Sequence, residues 1–323
     1  MARLVSLVED GDELLPALAA ALTPYAAGAQ VVGLTGAPGV GKSTLTSALV
    51  AAYRAQGQRI AVLAVDPSSP FTGGAILGDR VRMQDHATDP GVFIRSMSSR
   101  GHLGGLAAAT PQAVRVLDAA GFDIVLVETV GVGQAEVEVA SLADSTVVLL
   151  APGMGDAIQA VKAGILEIAD IFVVNKADRE GADAAVRDLR GMLALGDRPR
   201  GQSVPAGVGR ATRTVNGSTT PDDDGAPWRP PVLKTVAERG DGVAEVVAAI
   251  ATHHSHLAAS GELTARRERR AAAEIEHIAV GMVRARLGWT SSGPALPSLA
   301  ADVAGGRTDP YTAASTLVDA LPR

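Results

Sequence analysis

The stretch Gly36-Ala37-Pro38-Gly39-Val40-Gly41-Lys42-Ser43-Thr44 decides how this chain is read. It fits G-x-x-x-x-G-K-[ST], follows an apolar run at 31–34 and opens a helical pattern carried by Leu45, Leu49 and Val50. Each residue type has a chemical reason. Gly36, Gly39 and Gly41 let the backbone bend so that consecutive N–H groups face an anion, and the positive end of the following helix adds to that field. Ala37, Pro38, Val40 and Thr44 complete the cradle. Lys42 supplies a mobile positive charge for the β- and γ-phosphates, and the Ser43 hydroxyl reaches a magnesium ion. Nucleotide binding is the working expectation.

Downstream, strand-like and helix-like segments alternate. A helix is expected over 43–55, then continuous apolar runs at 60–65, 92–97, 124–127, 146–150 and 171–174, with helices between them, one around 158–168. Such runs belong to parallel strands covered on both faces. The β-α rhythm specifies an α/β fold, a P-loop NTPase with a doubly wound, mostly parallel sheet, whose functional loops lie at the carboxyl ends of the strands. Ahead of it, 4–25 reads as two short helices interrupted by Pro16 and Pro24. The segment 196–227, rich in Gly, Pro, Ser and Thr, reads as a flexible surface insertion. The fold resumes near Val232 and a helix with Val243, Val246, Val247 and Ile250.

Beyond Gly261, Ala271, Ile275, Ile278, Met282 and Ala285 alternate steps of four and three, the narrow seam of one helix lying along another. A last helical stretch carries Ala313, Ala314, Leu317 and Leu321. The expected organisation is an N-terminal helical extension (1–28), a nucleotide domain (29–261) and a C-terminal helical dimerisation arm (262–323). Arg266, Arg267, Arg269 and Arg270 read as a solvated helix start, and His253, His254 and His256 as a solvated helix face rather than a metal site.

With 323 residues and 47% hydrophobic, the chain has ample material for a core. A net charge of −6 without a long basic run argues against nucleic acid or an anionic membrane surface as the main partner. There is no cysteine, which excludes disulfides, thiolate metal sites and cysteine nucleophiles. No signal peptide or membrane span is read, so the cytoplasm is the expected location.

Asn175-Lys176-Ala177-Asp178 directly follows an expected parallel strand. There N-K-x-D reads guanine: the Asp178 carboxylate accepts from N1–H and the exocyclic amine, while Asn175 and the Lys176 stem hold the loop and cover the ring. Adenine offers no such donor pair, so GTP is expected over ATP. Asp66 and Glu128 each end an apolar strand, where an acid can hold Mg²⁺ through its water shell. The Gly131 N–H is placed to sense the γ-phosphate. Val132 stands where many small GTPases carry the glutamine that orients water, and Gln134 is too far along. Slow hydrolysis without a partner is therefore expected, with Arg80, Arg82, Arg95 and Arg100 as in-chain arginine candidates.

The set GAPGVGKST (36–44), VDPSSP (65–70), GDRVRM (78–83), ETVGVGQ (128–134), NKAD (175–178) and WRPPVLKTVA (228–237) resembles the MeaB/ArgK family of P-loop GTPases, which includes the MMAA proteins. The resemblance implies a homodimer that uses GTP and GDP with Mg²⁺ as a chaperone of adenosylcobalamin-dependent acyl-CoA mutases, chiefly methylmalonyl-CoA mutase. It leaves room for a cobalamin adenosyltransferase as a further partner. It implies Lys42 and Ser43 at the phosphates and metal, Asp66 and Asp79 on the first switch, and Glu128 on the second; Lys42, Asp79 and Glu128 form the catalytic set. Asp178 is placed at guanine, with Thr235, Val236 and Ala237 beside the base. The alternatives are a P-loop kinase or ATPase linked to amino-acid transport, and a nickel-inserting GTPase.

Overall fold

The apolar runs become strands because each can be buried on both faces only inside a layered sheet. The computed structural model describes residues 1–66, 86, 88–98, 109–129, 135–153, 166–196, 228–286 and 295–319. In chain order these hold helices α1 (Ala2–Asp10) and α2 (Leu15–Leu22), strand β1 (Gln30–Gly36), α3 (Lys42–Ala55), β2 (Ile60–Asp66), β3 (Val92–Ser98), α4 (Ala109–Ala119) and β4 (Ile124–Thr129). Then come α5 (Ala135–Leu142), β5 (Ser145–Leu150), α6 (Leu166–Ile168), β6 (Ile171–Val174), α7 (Ala182–Gly196), β7 (Val232–Lys234) and α8 (Val243–Ser260). Helices α9 (Glu262–Arg286), α10 (Ala295–Ala304) and α11 (Pro310–Asp319) follow. Of the helix expected over 158–168, only α6 falls within the described residues. The insertion expected at 196–227 lies outside them from 197 onward.

The seven strands run in the order β3-β2-β4-β1-β5-β6-β7 and every pairing is parallel. Alternate residues feed opposite layers. Val32, Leu34, Val62 and Leu126 pack beneath Leu45 and Leu49 of α3 and Val246 and Ile250 of α8. Val31, Leu63, Val125 and Val127 face Val5 of α1, Leu117 of α4 and Val139 of α5. Phe172 and Val174 pack under Val186 and Leu189 of α7. Truncating a fully buried leucine such as Leu126 to alanine would cost about 2–5 kcal/mol, because the surrounding layers cannot close the hole.

The chain divides into two compact units, Met1–Arg267 and Glu268–Arg323. Among the described residues, no helix is long and apolar enough to cross a membrane. In the second unit α10 packs on α11. Ile275, at 66% exposure, and Met282, Val283 and Ile278 lie open on α9.

The amino-terminal rim of the sheet overturns two sequence expectations. Arg266 does not belong to a solvated helix start: its guanidinium donates to both oxygens of Asp170 at 2.9 and 3.0 Å. Arg267 likewise holds Asp144, at 2.8 Å to Oδ2, while the Val31 N–H donates to the same oxygen at 3.0 Å. Nor do the histidines form a uniformly solvated face, because His253 is 0% exposed. Its Nδ1 meets Ser145 Oγ at 2.8 Å, and its Nε2 lies 3.3 Å from Asp170 Oδ1, at an angle short of a good hydrogen bond. Trp228 stacks obliquely on His253 and His256 and donates its indole N–H to the Asp170 carbonyl at 2.8 Å. Burial alone would raise the Asp170 carboxyl, but His253 and Arg266 beside it outweigh that and hold it below the usual carboxylate value. Serine, histidine and aspartate stand here in a line, yet all three are buried, so the trio is an internal brace and no substrate reaches it.

Candidate nucleotide site

At the opposite rim, the carboxyl ends of β1, β4 and β6 carry the residues singled out from sequence. Gly36 closes β1 with φ 140°, and a Cβ there would sit 2.3 Å from the Leu149 carbonyl oxygen. Any side chain would therefore drive β1 from β5. Gly41 caps α3 in a left-handed conformation, φ 95°, with no side-chain cap. The first turn of α3 therefore has no side-chain cap at the end where the helix field is most positive and favours an anion. The Lys42 ammonium donates to the carbonyls of Gly36 at 2.7 Å and Ala37 at 3.1 Å, which folds it over the loop's mouth. Ala37 is half-buried, Pro38 and Gly39 are exposed, and Val40 is buried. Thr44 lies half-buried in the first turn of α3.

Glu128, 1% exposed near the end of β4, meets that same turn. Ser43 Oγ donates to its Oε1 at 2.7 Å, and Thr46 Oγ1 lies 3.0 Å from its Oε2. A hydroxyl and a carboxylate, both hard oxygens held against the phosphate loop, make a donor set that fits a small hard cation such as Mg²⁺. Thr129, next in β4, donates its hydroxyl to Thr35 Oγ1 at 3.1 Å and so ties the root of the following loop to β1. Neither Thr46 nor Thr129 was singled out from sequence. For Thr46 the signal was there: three residues after Ser43, it shares that helix face.

Asp66 ends β2, paired in register with Ser98. Asp79 and Gly131 lie outside the described residues, as do Arg80, Arg82, Arg100, Val132 and Gln134. Arg95, an arginine candidate from sequence, is occupied elsewhere, with Ser6 and Glu9 of α1.

The loop after β6 is locked to the phosphate loop. Asn175 donates its amide to the Val40 carbonyl at 2.9 Å. Its Oδ1 accepts from Thr235 Oγ1 at 3.0 Å and from the Ala237 N–H at 3.1 Å. One side chain thus joins three loops. Lys176 has φ 56°, the sole positive value on a non-glycine residue among those described, and its ammonium reaches the Gly39 carbonyl at 2.6 Å. That strained conformation persists because contacts on both sides impose it. Asp178 is exposed on the same loop, and the Val236 N–H is engaged with the Asp241 carbonyl at 3.0 Å. The structure therefore gathers Gly36 through Thr44, Glu128, Asn175, Lys176, Thr235 and Ala237 at one rim, with Asp178 beside them.

Comparison with known proteins agrees with this geometry. A family model described as methylmalonyl-CoA mutase-associated GTPase MeaB matches residues 1–290. A Pyrococcus abyssi protein with a provisional GTPase name is 43% identical over 98% of this chain and 91% of its own. The GTPase ArgK of Escherichia coli is 48% identical over 49% of this chain and 48% of its own, and the mouse methylmalonic aciduria type A homolog is 37% identical over 73% and 52%. The crystal structure of a protein named LAO/AO transport system kinase superposes with a TM-score of 0.66 at 26% identity, over 98% of this chain and 91% of that one. The phosphate loop, the Asn-Lys-Ala-Asp loop and the parallel sheet that joins them are thus those of a family, and the chain belongs to the MeaB family of methylmalonyl-CoA mutase-associated GTPases.

Proposed function

We propose that the chain is a Mg²⁺-dependent GTPase that acts as a chaperone of an adenosylcobalamin-dependent acyl-CoA mutase, gating cofactor loading and protecting or rescuing the mutase. Methylmalonyl-CoA mutase is the client that the names of the family and of the mouse relative point to. The observation that carries the reading is the double tie from Asn175 to Val40 and from Lys176 to Gly39, which holds the Asn-Lys-Ala-Asp loop against the phosphate loop and so supports a nucleotide bound across both. Lys42 and the first-turn N–H groups of α3 bind the phosphates, and Asp178 selects guanine. Ser43 and Glu128, with Asp66 and Asp79 toward the first switch, would hold magnesium, which would supply positive charge against the phosphates. Hydrolysis forms a bond from water to the γ-phosphorus and breaks the bond to the bridging oxygen, which leaves on GDP.

Val132 in place of a water-orienting glutamine supports slow turnover until a partner or dimer mate supplies a further group. The open apolar residues of α9, spaced by fours and threes, support pairing with a second copy. The nickel-inserting alternative lacks support, because no group of three metal-ligating side chains occurs among the described residues and His253 is buried. A transport-linked kinase has only the name of the superposed protein behind it. A pull-down from the native cell, with and without a non-hydrolysable GTP analogue, tests the chaperone reading. A mutase retained in one nucleotide state more than the other is expected, and no mutase in either state refutes it.

A further inference from the structure

The feature of the site that needs explaining is that its acid is a glutamate. A glutamate side chain has one more rotatable bond than an aspartate, and its last torsion is broad. An acid that must present one oxygen to a cation therefore needs that torsion fixed. Ser43 donates to Oε1 of Glu128 and so holds one oxygen of the carboxylate. Thr46 Oγ1, 3.0 Å from Oε2, supplies the second point. We propose that Thr46 is a positioning residue that fixes the plane of the Glu128 carboxylate for magnesium. The inference rests on the magnesium-nucleotide reading of the site.

Thr46 Oγ1 is also 3.0 Å from the Lys42 carbonyl, one turn back on α3, and the hydroxyl has a single proton. Back-bonding of this kind is open to any helical threonine and requires no function. Burial decides between the two acceptors. Thr46 is 0% exposed, and the Glu128 carboxylate has almost no water to turn to. A hydrogen bond to a buried carboxylate is about twice as strong as one to a neutral carbonyl, so the proton goes to Glu128. The β-methyl packs in the first turn of α3 whichever acceptor is used, so a valine fills the same space without the donor.

The test uses the full chain and a fluorescent N-methylanthraniloyl GDP, titrated with MgCl₂ and, separately, bound in EDTA. Thr46→Val is expected to raise the magnesium concentration for half-saturation about tenfold, the usual cost of losing a hydrogen-bond partner of a metal ligand. Affinity in EDTA should stay within about twofold, and Thr46→Ser should restore the wild-type midpoint. An unchanged midpoint overturns the proposal. So does an equal loss in EDTA, or a serine variant no better than valine, since either makes Thr46 a plain packing residue. If the valine variant does not fold, Thr46→Ala against Thr46→Ser gives the same two outcomes. A wild-type chain without magnesium-dependent binding fails the proposed function itself, and this inference with it.

Discussion

Replacing Asn175 with alanine tests whether one buried amide holds the nucleotide rim together. The side chain is 2% exposed and makes three hydrogen bonds, to the Val40 carbonyl and from Thr235 Oγ1 and the Ala237 N–H. At roughly 0.5–1.5 kcal/mol net for each bond, Asn175→Ala should destabilise the chain by about 2–4 kcal/mol, the upper end applying because its partners stay buried. Urea unfolding followed by circular dichroism reads this as a lower midpoint at unchanged slope. The reasoning also fixes how the loss couples to Thr235, whose hydroxyl loses the same bond from the other side. Thr235→Val should cost about 1 kcal/mol alone, and the double variant should be less destabilised than the sum by about 0.5–1 kcal/mol. A loss below about 0.5 kcal/mol for Asn175→Ala, or full additivity, refutes the three-loop tie.

Further outcomes follow from the same geometry. Asp178→Asn should exchange GTP for xanthosine triphosphate, with a change in Kd of about tenfold or more for each nucleotide by competition binding, since a bidentate base contact carries about 1–3 kcal/mol of discrimination. Lys42→Ala should weaken magnesium-dependent GTP uptake by about tenfold to a hundredfold in calorimetry, as charge-assisted bonds of about 1.5–3 kcal/mol are lost. At the amino-terminal rim, Asp170→Asn should cost about 2–4 kcal/mol at neutral pH, because the bidentate Arg266 pair is broken in a largely buried place. The folded Asp170 titrates below its unfolded value, so its stabilisation is full above the ordinary carboxylate range and fades as pH falls through the lower folded value. Urea midpoints across that acid range should therefore fall less steeply for the asparagine variant than for wild type.

The sheet was legible because double burial writes itself as continuous apolar runs: 60–65, 124–127 and 171–174 each became a strand within a residue or two. The phosphate loop was legible because its glycines obey a steric rule, and Gly36 has no room for a Cβ. What spacing could not show were contacts between residues far apart in the chain. Arg267 and Asp144 are separated by 123 positions, and Arg266 and Asp170 by 96. A run of arginines carries no mark of the carboxylates waiting for it, and His253 looks like its neighbours His254 and His256 until the helix is docked. At the site, spacing shows that Thr46 shares a helix face with Ser43, but not that it meets Glu128, 82 residues on.

Strand β6 begins just after Asp170 and ends just before Asn175. Four residues of extended chain, five steps of roughly 3.3 Å or about 17 Å in all, separate the carboxylate that grips the start of α9 from the amide that staples the loop after β6. The two anchors are thus opposite tips of one short, fully buried rod with no hinge along it. Because one strand carries both, a displacement of β6 along its axis would move the Asn175 contact and the Arg266 contact together.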